Sequence, residues 1–204
     1  IYKVKATSKN GTSKVFVGYV EDGSYSYVQC LNGKNGTGVW SHYCGYFGNS
    51  LSDFVAMAGR TGDYDVVCMT GSRTLCLLDG RDGSEMVKRD LGADKEIYSD
   101  GEGCLFQISD VNNDGFEDVV NIRHSRWGSR AMCVVISGPT LQTIWEKQYG
   151  YNPSYFGLWD AKSLPDVSGD GRPEVVLGWN DTIYCYDGVG GKELWNTTIF
   201  WNGG

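Results

Sequence analysis

The sequence predicts an all-β fold built of four repeated units, and three observations carry that reading. Glycine is abundant, at 29 of 204 residues, while proline is scarce at 4, a balance that suits many tight turns. Short runs rich in Val, Ile, Tyr and Trp alternate with Gly and Asp clusters, and no long stretch keeps a helical period. Two landmarks recur in fixed order, the first at a spacing of 51 to 56 residues.

The first landmark is an Asp-rich loop followed by an apolar pair. Asp110-Val-Asn-Asn-Asp-Gly-Phe-Glu-Asp118 precedes Val119-Val120, and Asp166-Val-Ser-Gly-Asp-Gly-Arg-Pro-Glu174 precedes Val175-Val176. Aligning on the apolar pair recovers two weaker copies, Met57 to Asp65 and Ala6 to Lys14. All four keep glycine at the sixth position: Gly11, Gly62, Gly115 and Gly171. The second landmark is a Gly-turn closed by tryptophan. Cys185-Tyr-Asp-Gly-Val-Gly-Gly-Lys-Glu-Leu-Trp195 matches Cys30 to Trp40 in length, Leu77 to Val87 puts Val where the others have Trp, and Val135 to Trp145 completes the set.

Each repeat therefore reads as strand, Asp-loop, strand, turn, strand, Gly-turn, strand. In the fourth, the strands fall near 156–164, 174–179, 182–187 and 193–200. Four strands at a period near fifty are the pattern of a propeller blade. The predicted architecture is a single β-propeller segment of about four four-stranded blades, at 1–45, 46–95, 96–150 and 151–204. A β-sandwich is the rival fold, disfavoured because both landmarks recur in order four times. Both ends of the chain read as cuts, so the segment belongs to a larger ring, forms a half-ring completed by another chain, or closes as a small ring.

The Asp-loops resemble the FG-GAP/VCBS repeats of integrin-α-like propellers. The stretch Cys185 to Trp195 resembles the tryptophan motif of quinoprotein-like propellers. Together the two resemblances cover nearly the whole chain. They imply the propeller fold, a ring usually of seven or eight blades, and little about function.

Calcium takes six to eight oxygen ligands. A nine-residue loop with carboxylates or amides at positions 1, 3, 5 and 9, a backbone carbonyl at 7 and Gly at 6 for the sharp turn can supply most of them. In the third repeat the expected ligands are Asp110, Asn112, Asp114, the carbonyl of Phe116, and Asp118; in the fourth they are Asp166, Ser168, Asp170, the carbonyl of Arg172, and Glu174. The rival reading is a plain Asn/Asp/Gly turn, which leaves clustered carboxylates without a counter-charge. Two calcium sites are expected, with a structural role. The first two repeats have lost their ligands, and Lys14 could place an ammonium where a cation would sit.

Other features bound the function. Net charge is −7 and no Lys/Arg run exceeds two residues, which argues against nucleic acid. No apolar run is long enough to span a membrane as a helix. Asn10, Asn35, Asn180 and Asn196 begin N-glycosylation sequons, a modest excess over chance that favours an exported, extracellular protein. The seven cysteines contain no C-x-x-C pair and read as buried thiols, with one or two disulfides as the alternative; Cys68 and Cys76 could face each other across a hairpin. Trp40, Trp145 and Trp195 read as packing between blades, while Trp127, Trp159, Trp179 and Trp201 are candidates for a sugar- or partner-binding surface. Neither His42 nor His124 sits beside a nucleophile motif. The basic segment Arg123 to Arg130 reads as a long hairpin loop.

The expectation is a non-enzymatic, extracellular, calcium-binding module for recognition, adhesion or structural assembly. Its partner would be a protein or glycan at the cell surface, or neighbouring copies of itself. The rivals are a calcium-dependent propeller enzyme (polysaccharide lyase or quinoprotein-like dehydrogenase) and a propeller lectin.

Overall fold

The structure is a computed structural model that describes residues 3–9, 11–46, 51–60, 62–71, 74–91, 97–98, 105–125, 131–149, 158–179 and 181–199. Among them every regular element is a strand, and all strands pair antiparallel in four sheets. The first sheet is β1 (Lys3–Lys9), β2 (Thr12–Glu21), β3 (Tyr25–Asn32) and β4 (Gly38–Tyr46), in that spatial order. The second is β5 (Leu51–Ala58), β6 (Tyr64–Thr70), β7 (Thr74–Leu78) and β8 (Glu85–Asp90). The third is β10 (Leu105–Ile108), β11 (Asp118–Ser125), β12 (Ala131–Ile136) and β13 (Thr143–Tyr149), with the two-residue β9 (Ile97–Tyr98) added on β11. The fourth is β14 (Leu158–Leu164), β15 (Glu174–Trp179), β16 (Thr182–Tyr186) and β17 (Glu193–Thr198). Four meandering four-stranded sheets are the predicted blades.

The chain forms two compact units, one of residues 1–95 with 138–141 and one of residues 96–137 with 142–204. In the first, alternation along β2, β3 and β4 puts Phe16, Cys30 and Trp40 on one face. That face packs against Phe54, Val66, Cys68 and Leu78 of the second blade. Gly18 lets the sheets approach, since a Cβ there would stand 2.9 Å from Leu51 and 3.0 Å from Phe54. In the second unit Val120, Ile122, Cys133 and Trp145 share a core with Ala161, Val175, Leu177 and Tyr186 of the fourth blade.

The cysteines are core residues. Cys68 and Cys76 are direct cross-strand partners, as the hairpin reading expected, yet both are free thiols. The neighbouring Cys44 and Cys76 thiols, with burial, push the Cys68 pKa well above its usual value. Cys30, Cys44, Cys133 and Cys185 are also buried thiols. Cys104, Trp127, Trp201, Asn10 and Asn180, with the side chains of His124 and Trp159, lie outside the described residues. Trp179 is buried against Tyr149, at 5.2 Å between ring centres, so it belongs to the core rather than to a binding surface.

Candidate metal centre

Each Asp-loop joins the first two strands of its blade, and the Gly-turn of the same blade packs beside its exit. A Cβ on Gly80 would stand 1.4 Å from the Tyr64 carbonyl oxygen, and one on Gly188 would stand 2.1 Å from that of Pro173. In the third blade the contact is a hydrogen bond, Ser137 Oγ donating to Asp114 Oδ2 at 3.0 Å. The two landmarks that recur together in the sequence are therefore neighbours in space.

In the third blade the loop winds around its own carboxylates. Asp110 accepts the backbone N–H of Asp114 (3.1 Å) on Oδ1 and that of Gly115 (2.7 Å) on Oδ2. The Asp114 N–H is shared with Asn112 Oδ1 (3.0 Å), Asn112 Nδ2 donates to Asp114 Oδ2 (3.0 Å), and Asp114 Oδ1 accepts the Phe116 N–H (3.0 Å). These bonds bring Asp110, Asn112 and Asp114 together. Asp118 is fully buried and turns to the Val111 N–H at 2.9 Å. Gly115 has φ +91°, the backbone state expected of the sixth position.

The fourth blade repeats the pattern. Asp166 accepts the N–H groups of Gly169 (2.6 Å) and Gly171 (2.8 Å), which hold its carboxyl below the usual carboxylate range. Ser168 Oγ lies 3.5 Å from Asp166 Oδ1, and Asp170 accepts the Arg172 N–H at 2.9 Å. Glu174 is fully buried, and its Oε1 accepts the N–H groups of Val167 (2.9 Å) and Ser168 (2.8 Å). Its Oε2 is buried and has no hydrogen-bond partner. A carboxylate oxygen in that condition is costly unless a cation or a proton meets it.

The donors fit a hard cation. An ionised carboxylate offers about four acceptor sites, so the bonds described leave lone pairs on Asp110, Asp114, Asp170 and Glu174. No ammonium or guanidinium among the described residues forms an ion pair with Asp110, Asp114, Asp166 or Asp170. The described residues also hold no group of three or more His, Cys, Asp or Glu side chains already gathered for a metal. The loops thus present oxygens that ion binding would have to draw inward.

The first two blades solve the charge problem internally. Lys14, the residue at position 9 of the first loop, is buried and reaches the next blade, donating to Asp63 Oδ2 (2.6 Å) and the Gly80 carbonyl (2.7 Å). Asp65, the buried position 9 of the second loop, accepts the N–H groups of Gly80 and Arg60, both at 3.3 Å, and burial raises its pKa. Asp79, in the Gly-turn, is gripped by Arg81 and held below the carboxylate range chiefly by that contact. A depressed pKa stabilises the fold above the unfolded value and is lost as pH falls through the folded one. The stability gap between wild type and Asp79→Asn should therefore stay constant at neutral pH and close below about pH 4, as measured by urea denaturation across pH; a gap indifferent to acid would show that the pair contributes nothing.

The Gly-turn also receives the preceding blade. Trp40 Nε1 donates to the Gly80 carbonyl (2.9 Å), and Trp145 Nε1 to that of Gly188 (2.8 Å). Each indole lies over the glycine three residues further on, where a Cβ would stand 2.7 Å from Trp40 (Gly83) or 2.8 Å from Trp145 (Gly191). Two residues past each Trp, His42 Nδ1 lies 3.1 Å from the Gly83 carbonyl and Lys147 Nζ lies 3.5 Å from that of Gly191. Trp40 and Trp145 thus have the blade-packing role expected of them.

No protein-family model matches the chain, and no curated protein matches it. The narrower likeness to FG-GAP/VCBS repeats therefore rests on the loop residues alone. Among solved structures, the rhamnogalacturonan lyase YesW shares 15% identity at a TM-score of 0.63, over 94% of this chain and 41% of that one. The quinohemoprotein alcohol dehydrogenase of Comamonas testosteroni shares 14% at 0.58, over 95% and 34%. BamB from Moraxella catarrhalis shares 16% at 0.52, over 96% and 48%. The chain spans less than half the length of each of these three. Several neighbours being enzymes by name, the expectation that this chain is not an enzyme is corrected: it rested on missing motifs, and a fold that hosts enzymes among its neighbours does not support it. At such identities the likeness establishes the fold, and the chain is a β-propeller.

Proposed function

We propose that the chain is an extracellular, calcium-binding β-propeller module, with one ion in each Asp-loop of the third and fourth blades, that presents a rigid surface for recognition, adhesion or assembly. The observation that carries the calcium reading is the buried Glu174 Oε2, which lacks a hydrogen-bond partner in a loop whose carboxylates make no ion pair among the described residues. In the first unit Lys14 brings an ammonium to Asp63; the later loops need their positive charge from solution. The ligands would be Asp110, Asn112, Asp114, Phe116 and Asp118, and Asp166, Ser168, Asp170, Arg172 and Glu174. The ion would tie the first strand of the blade to the second, so binding energy would become folding energy.

Location outside the cell is supported by the sequons at Asn35 and Asn196. Asn196 is exposed, and Asn35 lies in an exposed turn, where its Oδ1 accepts the Thr37 N–H. No helix among the described residues is long and apolar enough to cross a membrane.

Calorimetric titration of chelator-treated protein tests the metal reading. Two calcium ions per chain are expected, with Asp114→Ala removing one and Asp170→Ala the other. Absence of binding would leave the loops as ordinary turns. A catalytic reading is favoured by the lyase neighbours, and incubation with rhamnogalacturonan tests it: chain-shortened product in the presence of calcium would support it.

A further inference from the structure

Trp195 and the Gly-turn of the first blade are two unsatisfied halves of the contact that joins blades elsewhere in this chain. Trp195 aligns with Trp40 and Trp145. It is 40% exposed, against 9% and 8% for those two. The glycine that aligns with Gly83 and Gly191 is Gly36, with φ +72° and nothing within 4 Å of a Cβ built on it. Among the described residues no indole covers it.

The surrounding faces agree. On the first blade, Val4 partners Val17, and Tyr19, Tyr27 and Tyr43 partner one another across β2, β3 and β4, on the face opposite Phe16, Cys30 and Trp40. Val4, Tyr25, Val39, Tyr43 and Tyr46 are all more than 40% exposed, and the tyrosine rings pack together at 5.2–6.3 Å. On the fourth blade, Trp195 lies across from Cys185 and Val176, on the face opposite Val175, Leu177 and Tyr186, which pack on the third blade. Ile199, beyond the end of β17, is 57% exposed. Among the described residues, every exposed large apolar side chain is on the first or fourth blade.

The third blade shows what the contact requires. Its turn carries buried Leu141 at the glycine position, with φ +57°, and the blade before it carries Val87 instead of Trp. Trp thus goes with Gly, and Val with Leu.

We infer that the fourth blade docks on the first blade of a second copy of this chain, head to tail. The Trp195 indole covers Gly36, its Nε1 donates to the Gly33 carbonyl, and the Thr197 hydroxyl stands where His42 and Lys147 stand, donating to the Gly36 carbonyl. The interface is heterologous, so each copy offers one half to each neighbour. The inference is independent of the calcium reading.

Light scattering on protein made without N-glycans tests it, since a glycan on Asn35 would sit in the acceptor turn. The mass of the wild type should rise with concentration. Trp195→Ala removes one half of the contact. Gly36→Leu blocks the other, and Leu141 shows that leucine is tolerated at this backbone position. Each variant alone should stay at the single-chain mass, and an equimolar mixture should reach twice that mass and stop. Circular dichroism checks folding, and Thr197→Asp, which sets a carboxylate against the Gly36 carbonyl, is a second variant on the fourth-blade side, expected to weaken association. A wild type at single-chain mass at every concentration overturns the inference, as does association unchanged in either of the first two variants or a mixture that stays at single-chain mass.

Discussion

Trp145→Ala should lose about 3–5 kcal/mol of folding stability, the range for truncating a buried tryptophan. Three contacts go at once. The indole fills the space between β13 and the fourth blade, where it meets Tyr186 at 5.7 Å and lies over Gly191. Its N–H is a hydrogen-bond donor to the Gly188 carbonyl. The residual cavity has little means of closing, because both flanking sheets are held by their own ladders. Urea denaturation measures the loss. A cost below about 1 kcal/mol would mean that the third and fourth blades are held by something other than this contact.

Gly80→Ala is expected to be comparably severe for a different reason. The added carbon would stand 1.4 Å from the Tyr64 carbonyl oxygen and 2.6 Å from its carbonyl carbon. Both are backbone atoms, so no side-chain rotation relieves the clash. The turn must move, and the Gly80 carbonyl, which accepts from both Trp40 and Lys14, moves with it. A loss above about 3 kcal/mol is expected, beyond ordinary overpacking. Gly36→Ala is the control. Space around Gly36 is open, so only the strain of a positive φ remains, about 1 kcal/mol. Equal losses at the two positions would contradict the close packing of Asp-loop exit and Gly-turn.

The fold was legible because its determinants are local and repeated. In the fourth repeat the strands read at 174–179 and 182–187 appear at Glu174–Trp179 and Thr182–Tyr186. Alternation of side chains between two packed faces, with glycine at fixed turn positions, leaves few other arrangements. The site was legible as residue types but not as bonds. Spacing identifies Asp118 and Glu174 as position 9 of their loops. It does not reveal that both are buried and accept backbone N–H groups, because those donors belong to a loop whose path is set by the whole blade. Lys14 shows the same limit at longer range: its partners are 49 and 66 residues away, and no local pattern encodes them. Leu141 made the Val135–Trp145 copy the faintest of the four, since the other three carry glycine at its left-handed position.

Thermal unfolding of chelator-treated protein, with calcium titrated back, tests the central claim most directly. A ligand that binds only the folded state adds about 2.7 kcal/mol per site at a hundredfold excess over its Kd. For a chain of this size that is a rise of roughly 5–10 °C per site. The account predicts such a rise, halved by Asp114→Ala or Asp170→Ala and abolished by both together. A Tm indifferent to calcium in the wild type would contradict it.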